Sequence, residues 1–253
     1  MTHDSQSLVI VTGGRRGIGA AVVDALVEAG TPVVILDIEE AAPRHDTGVA
    51  VWSHRVDVSD DAAVADIVAV IEDKHGPVTG LVNAAGVLGK MHAPERLRMA
   101  DWDRELSVDL RGTYVMCREV GSRMSRRRSG AITNIASIAG MTSAPVHGYG
   151  PAKAAVINLT MTLAAEWGPN NVRVNAVSPG FTRTPALEAG LAAGVLSEEH
   201  MGQSAALKRL VEPAEVAQAA VWLLGPAASG ITGANIPVDC GFLAGVTWQA
   251  YSR

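Results

Sequence analysis

The stretch SLVIVTGGRRGIGAAVVDALVEAG, residues 7–30, runs from a continuous apolar segment through a glycine-rich turn into an Ala-rich segment of helical periodicity. Gly13, Gly17 and Gly19 space the turn as G-x-x-x-G-x-G, a looser pattern than G-x-G-x-x-G. Glycine lets backbone N–H groups approach an anion closely, and the helix that follows turns its positive end toward the same place. A glycine cluster by itself is an ordinary turn. Placed between a strand and a helix, it predicts a site for a dinucleotide pyrophosphate.

The same alternation continues outward along the chain. Short Val- and Ile-rich runs at 7–13, 31–37, 50–58, 80–86, 130–137, 172–179 and 234–240 are separated by longer helical patterns. Most of these runs are apolar throughout rather than alternating, so helices are expected on both faces of the sheet they form. The expected fold is α/β, a doubly wound, seven-stranded parallel sheet in a three-layer sandwich. No linker, composition shift or short repeat divides it, which predicts a single domain over 1–253. Residues 185–210, rich in Gly, Ala, Leu and Met, exceed a plain connector. They are read either as a lid over a ligand at the carboxyl edge of the sheet or as a structural helical hairpin.

Composition narrows the function. With 48% hydrophobic and 19% charged residues the chain can bury a large core, and a net charge of −5 argues against nucleic acid as a partner. Cys117 and Cys240, far apart, form neither a disulfide framework nor a zinc knuckle, and no metal-ligand spacing occurs elsewhere. MTHDSQSLVI lacks the features of a secretory signal, and no apolar run reaches membrane-spanning length. A cytoplasmic location with no membrane partner is therefore expected. The basic run Arg126–Arg128 suits a solvated helix C-terminus.

Asp37 closes the second strand, where a carboxylate can accept hydrogen bonds from both adenosine ribose hydroxyls and repel a 2′-phosphate; the other reading is a helix cap. Arg16, in the glycine turn, can attract that phosphate, whereas Arg15 and Arg16 can equally extend into solvent. The carboxylate on the rigid strand end is given precedence, which favours NAD over NADP. Further on, Tyr149 and Lys153 in YGPAK stand one helical turn apart on one face. Pro151 is tolerated in a first turn. A phenol, with a pKa of about 10, becomes a usable acid/base beside an ammonium that favours the phenolate.

The glycine turn, Asp37, the NAAG segment from Asn83 to Gly86, Ser137 in NIAS, YGPAK and SPGFTRT from Ser178 to Thr184 occur in one order. This order resembles the short-chain dehydrogenase/reductase family, from about Leu8 to Gly241. The resemblance implies a single Rossmann-fold domain, assembled as a homotetramer or homodimer, that moves a hydride between a nicotinamide and a carbonyl or alcohol carbon. It also implies that Tyr149 donates or accepts the proton, that Lys153 holds the nicotinamide ribose, and that Ser137 binds the substrate oxygen. Ile18 is placed against the pyrophosphate, Asp57 and Val58 at the adenine, and Asn83 and Gly86, with Ala84 between them, at the adenosine ribose. Pro179, Gly180, Thr182 and Thr184 border the nicotinamide. The hydroxyl of Ser137 also suits a turn cap.

One residue departs from the family. Where an asparagine usually supports a water chain to the lysine, SVDLRGTY has Asp109. A carboxylate accepts hydrogen bonds but donates none. Either it draws Lys153 into a water-bridged ion pair that raises the pH optimum, or water adapts with little effect. Cys240 stands where the family often has glycine and is expected to affect packing or subunit contact. Leu88, Met141, Ser143, Val146, His147 and Phe181 lie near the expected pocket with few charges, suiting a neutral secondary alcohol, cyclic diol or ketone. Arg183 is open to binding a substrate carboxylate or to lying idle at the surface. Two alternatives stand beside this reading: an NADPH-dependent 3-oxoacyl-thioester reductase and a non-catalytic nucleotide sensor.

Overall fold

The computed structural model describes residues 7–40, 48–89, 91–194 and 196–245; Met1–Gln6, part of the segment read for a signal, and Val195, within the expected lid, lie outside them. Seven parallel strands form one sheet in the order β3-β2-β1-β4-β5-β6-β7. They are β1 Leu8–Thr12, β2 Val33–Asp37, β3 Val51–Arg55, β4 Val78–Asn83, β5 Gly130–Ile135, β6 Val172–Pro179 and β7 Asn235–Val238. The helices that matter here are α1 Gly17–Glu28, α2 Asp61–His75, a continuous run α3 over 99–127, α4 Tyr149–Trp167, α5 Pro185–Ala192, α6 Glu198–Ser204 and α7 Pro213–Leu224.

β1 and β2 are buried along their whole length because successive side chains enter two different cores. Ile10 and Leu36 pack with Val68 of α2 and Met116 of α3, whereas Val11 and Ile35 pack with Val22 of α1 and Val216 of α7. The expected three layers follow. Strand order reverses at β1, whose neighbours are β2 on one side and β4 on the other. At such a switch point the connections leave in opposite directions and open a crevice beyond the carboxyl ends of the strands. Among the described residues, no helix is long and apolar enough to cross a membrane.

Several strands differ from their expected limits, each for a local reason. β1 stops at Thr12 because Gly13 turns to φ 65°. β3 ends at Arg55 rather than 58, since the Asp57 carboxylate accepts the Ser59 N–H at 2.8 Å and starts the turn into α2. β4 begins at Val78, paired with Leu8, and ends at Asn83, after which the Ala84 and Ala85 N–H groups donate to Thr12 Oγ1, each at 3.1 Å. β7 ends at Val238, and Cys240 beyond it has φ 52°. That left-handed conformation accounts for a glycine preference at this position. Arg127 and Arg128 do end a helix, but they also tie it down: Arg127 donates to the Val78 carbonyl at 2.7 Å and Arg128 to that of Pro169 at 3.0 Å.

Candidate active site

At the end of β1, a Cβ on Gly13 would lie 2.8 Å from the Ala85 backbone, and one on Gly19 would run into the Gly13 carbonyl. Gly17 has φ 59°, so the chain enters α1 through a turn that side chains would block. Arg16 is the N-cap of α1, and its side chain caps nothing. The N–H groups of Gly17, Ile18 and Gly19 are the orphan donors of this helix start, and the cradle therefore fits a pyrophosphate. Thr12, which sequence reasoning missed, joins this turn to the end of β4 through its hydroxyl.

Asp37 is buried, and its carboxylate accepts the N–H of Arg15 at 3.2 Å and of Glu39 at 3.3 Å, so it shapes the turn after β2 and caps no helix. Neither arginine is simply solvated. Arg15 forms an ion pair with Glu39, and Arg16 lies 3.9 Å from the same carboxylate while remaining largely exposed. Glu39 is thus the acidic neighbour of both guanidinium groups. Asp57 is exposed beyond β3, and Val58 is buried against Gly112. The Asn83 side chain turns inward, donating to Asn134 Oδ1 at 2.9 Å, so only its backbone can meet a ribose. Asn134 donates in turn to Thr160 on α4 at 3.0 Å, a buried polar chain that ties β4 and β5 to this helix.

Beyond β6, Gly180 admits no Cβ because Asp239 Cα would lie 2.8 Å from it. Thr182 is buried, donating to the Gly180 carbonyl at 2.9 Å, and Thr184 caps α5 by accepting the Leu187 N–H at 3.3 Å. The Thr184 methyl group stands over Gly17, 3.6 Å from where a Cβ would be. The root of the 185–210 segment therefore lies against the glycine turn.

The second half of the site lies between α3 and α4. Lys153 Nζ is buried, donates to the Ile135 carbonyl at 3.0 Å and sits 5.4 Å from the centre of the Tyr149 ring. The expected water bridge to Asp109 is absent: the two groups are in direct contact, Nζ to Oδ1 at 3.2 Å. Gly86 explains the approach, since a Cβ there would come within 2.5 Å of Asp109 Oδ1. Asp109 lies in a π-helical stretch of α3, Leu106–Gly112, and accepts the Val87 N–H at 3.2 Å. Burial opposes the Lys153 ammonium, but Asp109 and then Tyr149 outweigh it and hold the proton above the ordinary lysine range. Burial also pushes the Asp109 carboxyl up against the pull of Lys153. The Cys117 thiol beneath is pushed up to about 12 by burial, which leaves it unreactive.

Ser137 caps the turn Ile138–Gly140 by accepting the Ala139 N–H at 3.1 Å. That turn packs on α4, as a Cβ on Gly140 would lie 2.6 Å from Ala154 N. A hydroxyl that accepts there still has its own O–H to donate. Ser137, Tyr149, Lys153 and Asp109 are therefore drawn to one corner of the sheet edge.

A cavity of about 710 Å³ opens beside Val87, Leu88 and Gly89. It is lined by His92, Arg96, Arg98 and Arg104 together with Asp101 and Glu105, so this side carries more charge than expected. Arg98 is spent on Asp101, at 2.7 Å. Arg183 is not idle either: it pairs with Glu198 of α6 at 2.5 Å and with Glu212 at 3.3 Å, which ties the 185–210 segment to the start of α7. Met141 and Phe181 are exposed, Phe181 edge-on to Phe242 at 5.5 Å.

A protein-family model described as Enoyl-(Acyl carrier protein) reductase matches residues 13–243. The 2,5-dichloro-2,5-cyclohexadiene-1,4-diol dehydrogenase of Sphingobium indicum is 34% identical over 250 residues, spanning 96% of this chain and 100% of its own. A solved structure from Brucella melitensis 16M, described as ribose-5-phosphate isomerase, has a TM-score of 0.92 at 43% identity and covers 97% of this chain and 95% of that one. NAD+-bound xylitol dehydrogenase has a TM-score of 0.87 at 29% identity, over 95% of this chain and 100% of its own.

Proposed function

The chain belongs to the short-chain dehydrogenase/reductase family, and from that premise we propose that it is an NAD-dependent oxidoreductase of secondary alcohols, cyclic diols and the matching ketones, with Tyr149 as acid/base. The observation that carries this reading is the buried Lys153 beside the Tyr149 ring, held protonated by Asp109 and anchored on the Ile135 carbonyl.

When bound, a nicotinamide coenzyme supplies the carbon that accepts or gives up the hydride. Gly17, Ile18 and Gly19 hold its pyrophosphate and Lys153 its ribose. In alcohol oxidation Tyr149 takes the hydroxyl proton at its phenolate oxygen, and in reduction it returns that proton. The Ser137 hydroxyl donates to the substrate oxygen, where charge develops. Lys153 favours the phenolate by its charge, and Asp109, in direct contact with it, cancels part of that charge. The optimum is accordingly set above that of a site with a neutral residue at 109.

The choice of NAD rests on Asp37 with Glu39, two carboxylates where a 2′-phosphate would lie, one of which also occupies Arg15. The segment over 185–210 acts as the lid, hinged beside Thr184. Assembly as a homodimer or homotetramer in the cytoplasm belongs to the same proposal, with exposed Tyr114, Met161 and Trp222 as apolar surface to be covered. A ribose-5-phosphate isomerase, the description of one structural neighbour, would leave the glycine cradle without a use.

The test is coenzyme reduction with a panel of secondary alcohols and cyclic diols, run with NAD+ and with NADP+. The expected result is turnover with NAD+ at least about tenfold more efficient than with NADP+, as like charges at one site disfavour the phosphate. A 3-oxoacyl thioester reduced with NADPH, and no alcohol oxidised, would overturn it.

A further inference from the structure

Glu105 is a buried carboxylate that the chemistry above leaves unused. It is 6% exposed and lies one turn before Asp109 on α3. A Cβ on Gly89 would overlap its Oε1, and one on Gly148 would overlap its Oε2. Two glycines on two other elements thus make room for this one side chain. The backbone N–H groups of Gly89 and Tyr149 are turned toward it and draw its carboxyl down against the lift of burial.

Two carboxylates stand in one register. Asp109 accepts the Val87 N–H, presses on Gly86 and contacts Lys153. One turn earlier, Glu105 presses with one oxygen on Gly89 and with the other on Gly148, the neighbour of Tyr149. These two carboxylates of α3 therefore each join the loop after β4 to the part of α4 that carries one of its two functional residues.

The N-terminus of α4 needs such a partner. The first N–H groups of a helix have no acceptor within it, and the N-cap here is Gly148, with no side chain to supply one. Gly150 N–H reaches back to the Val146 carbonyl and Ala152 N–H to that of Gly148, while Tyr149 N–H has no backbone acceptor among the described residues and is turned toward Glu105. Burial pushes the Glu105 carboxyl up, the Gly89 N–H draws it down, Asp109 pushes it up again and the Tyr149 N–H opposes. Glu105 also lines the cavity formed with Val87, Leu88 and Gly89.

We propose that Glu105 is a positioning residue: a cap supplied from α3 that fixes the Tyr149 end of α4 against the loop 86–89. The proposal rests on Tyr149 being the acid/base. A carboxylate is required because it alone presents two acceptor oxygens; the amide of Glu105→Gln has one and sets its NH2 against one of the two backbone donors.

The test compares the full-length chain with Glu105→Gln and Glu105→Ala, using the best alcohol of the panel with NAD+, direct NAD+ titration, and amide hydrogen exchange at Gly89 and Tyr149. Misplacing a reacting group by about 1 Å costs about 100-fold, so kcat is expected to fall about tenfold in Glu105→Gln and about 100-fold in Glu105→Ala. KM and the NAD+ Kd stay within about twofold of the parent, because neither variant touches the coenzyme cradle. Exchange at both amides becomes faster. A purely structural cap would lower stability and leave kcat alone, so an unchanged kcat in folded Glu105→Gln overturns the proposal, as does a lower kcat with both amides still protected. If Glu105→Gln does not fold, or no alcohol turns over, exchange in the unaltered chain decides: protected Gly89 and Tyr149 amides support the cap, and free exchange refutes it. Tyr149→Phe separates the two readings, since full activity there defeats the acid/base assignment whatever Glu105 does.

Discussion

At the end of β1 the site is made by removing side chains, whereas between α3 and α4 it is made by burying charged ones. The glycine turn presents backbone N–H groups, and an added methyl group meets the backbone of Ala85 or Gly13. The α3–α4 corner presents Asp109 and Lys153 in contact, both almost fully enclosed. The first region should be sensitive to volume and indifferent to charge. The second should tolerate a change of shape but respond to every change of charge or proton.

The largest effect on stability is expected where a buried charge loses its partner. Asp109→Leu leaves the Lys153 ammonium without its counter-charge, and denaturant unfolding should show a loss of about 3–5 kcal/mol. A loss under about 1 kcal/mol would mean that the Ile135 carbonyl alone satisfies Lys153. Gly19→Ala comes next. Overpacking against the Gly13 carbonyl should cost about 1–3 kcal/mol, and NAD+ affinity measured by calorimetry should fall about 10- to 100-fold. Wild-type affinity in that variant would break the contrast between the two regions.

Asp109→Asn sharpens the contrast, because it changes charge with almost no change in shape. Asp109 holds the Lys153 proton above the ordinary lysine range, so the ammonium is complete at neutral pH and is lost only as pH rises through that raised value. With a neutral residue at 109 the ammonium acts unopposed on the Tyr149 phenol and favours the phenolate. The pH–rate profile should move to lower pH by about one unit, and superimposable profiles would contradict the account. The smallest effect is expected at Arg183→Ala, which releases an exposed link between the 185–210 segment and α7. KM should rise about twofold, with a similar rise for the parent on adding salt, since exposed ion pairs hold weakly and are screened.

The two regions also differ in how legible they are in sequence. Glycines between an apolar run and a helical pattern announce a backbone site, because few other residue types permit that path. Tyr149 and Lys153 declare themselves by a four-residue spacing within one helix. Glu105 does not, since nothing in DWDREL tells a buried acid from a surface one. Its only signal is the same four-residue spacing, to Asp109, and the glycines that accommodate it lie on other elements. Glu39 was hidden for the same reason, as its pairing with Arg15 joins two loops. The direct Asp109–Lys153 contact depended on Gly86, whose missing Cβ counts only once β4 and α3 are packed together.

The central claim is that Tyr149, beside the buried ammonium of Lys153, moves the substrate proton. It is tested most directly by measuring NADH formation from the panel alcohols for the parent and Tyr149→Phe, with NAD+ affinity determined for both. The account predicts turnover in the parent, a loss of at least about 100-fold in Tyr149→Phe, and equal NAD+ binding by the two. A Tyr149→Phe variant that oxidises alcohol as fast as the parent, or a parent that binds NAD+ tightly and oxidises none of them, would contradict it.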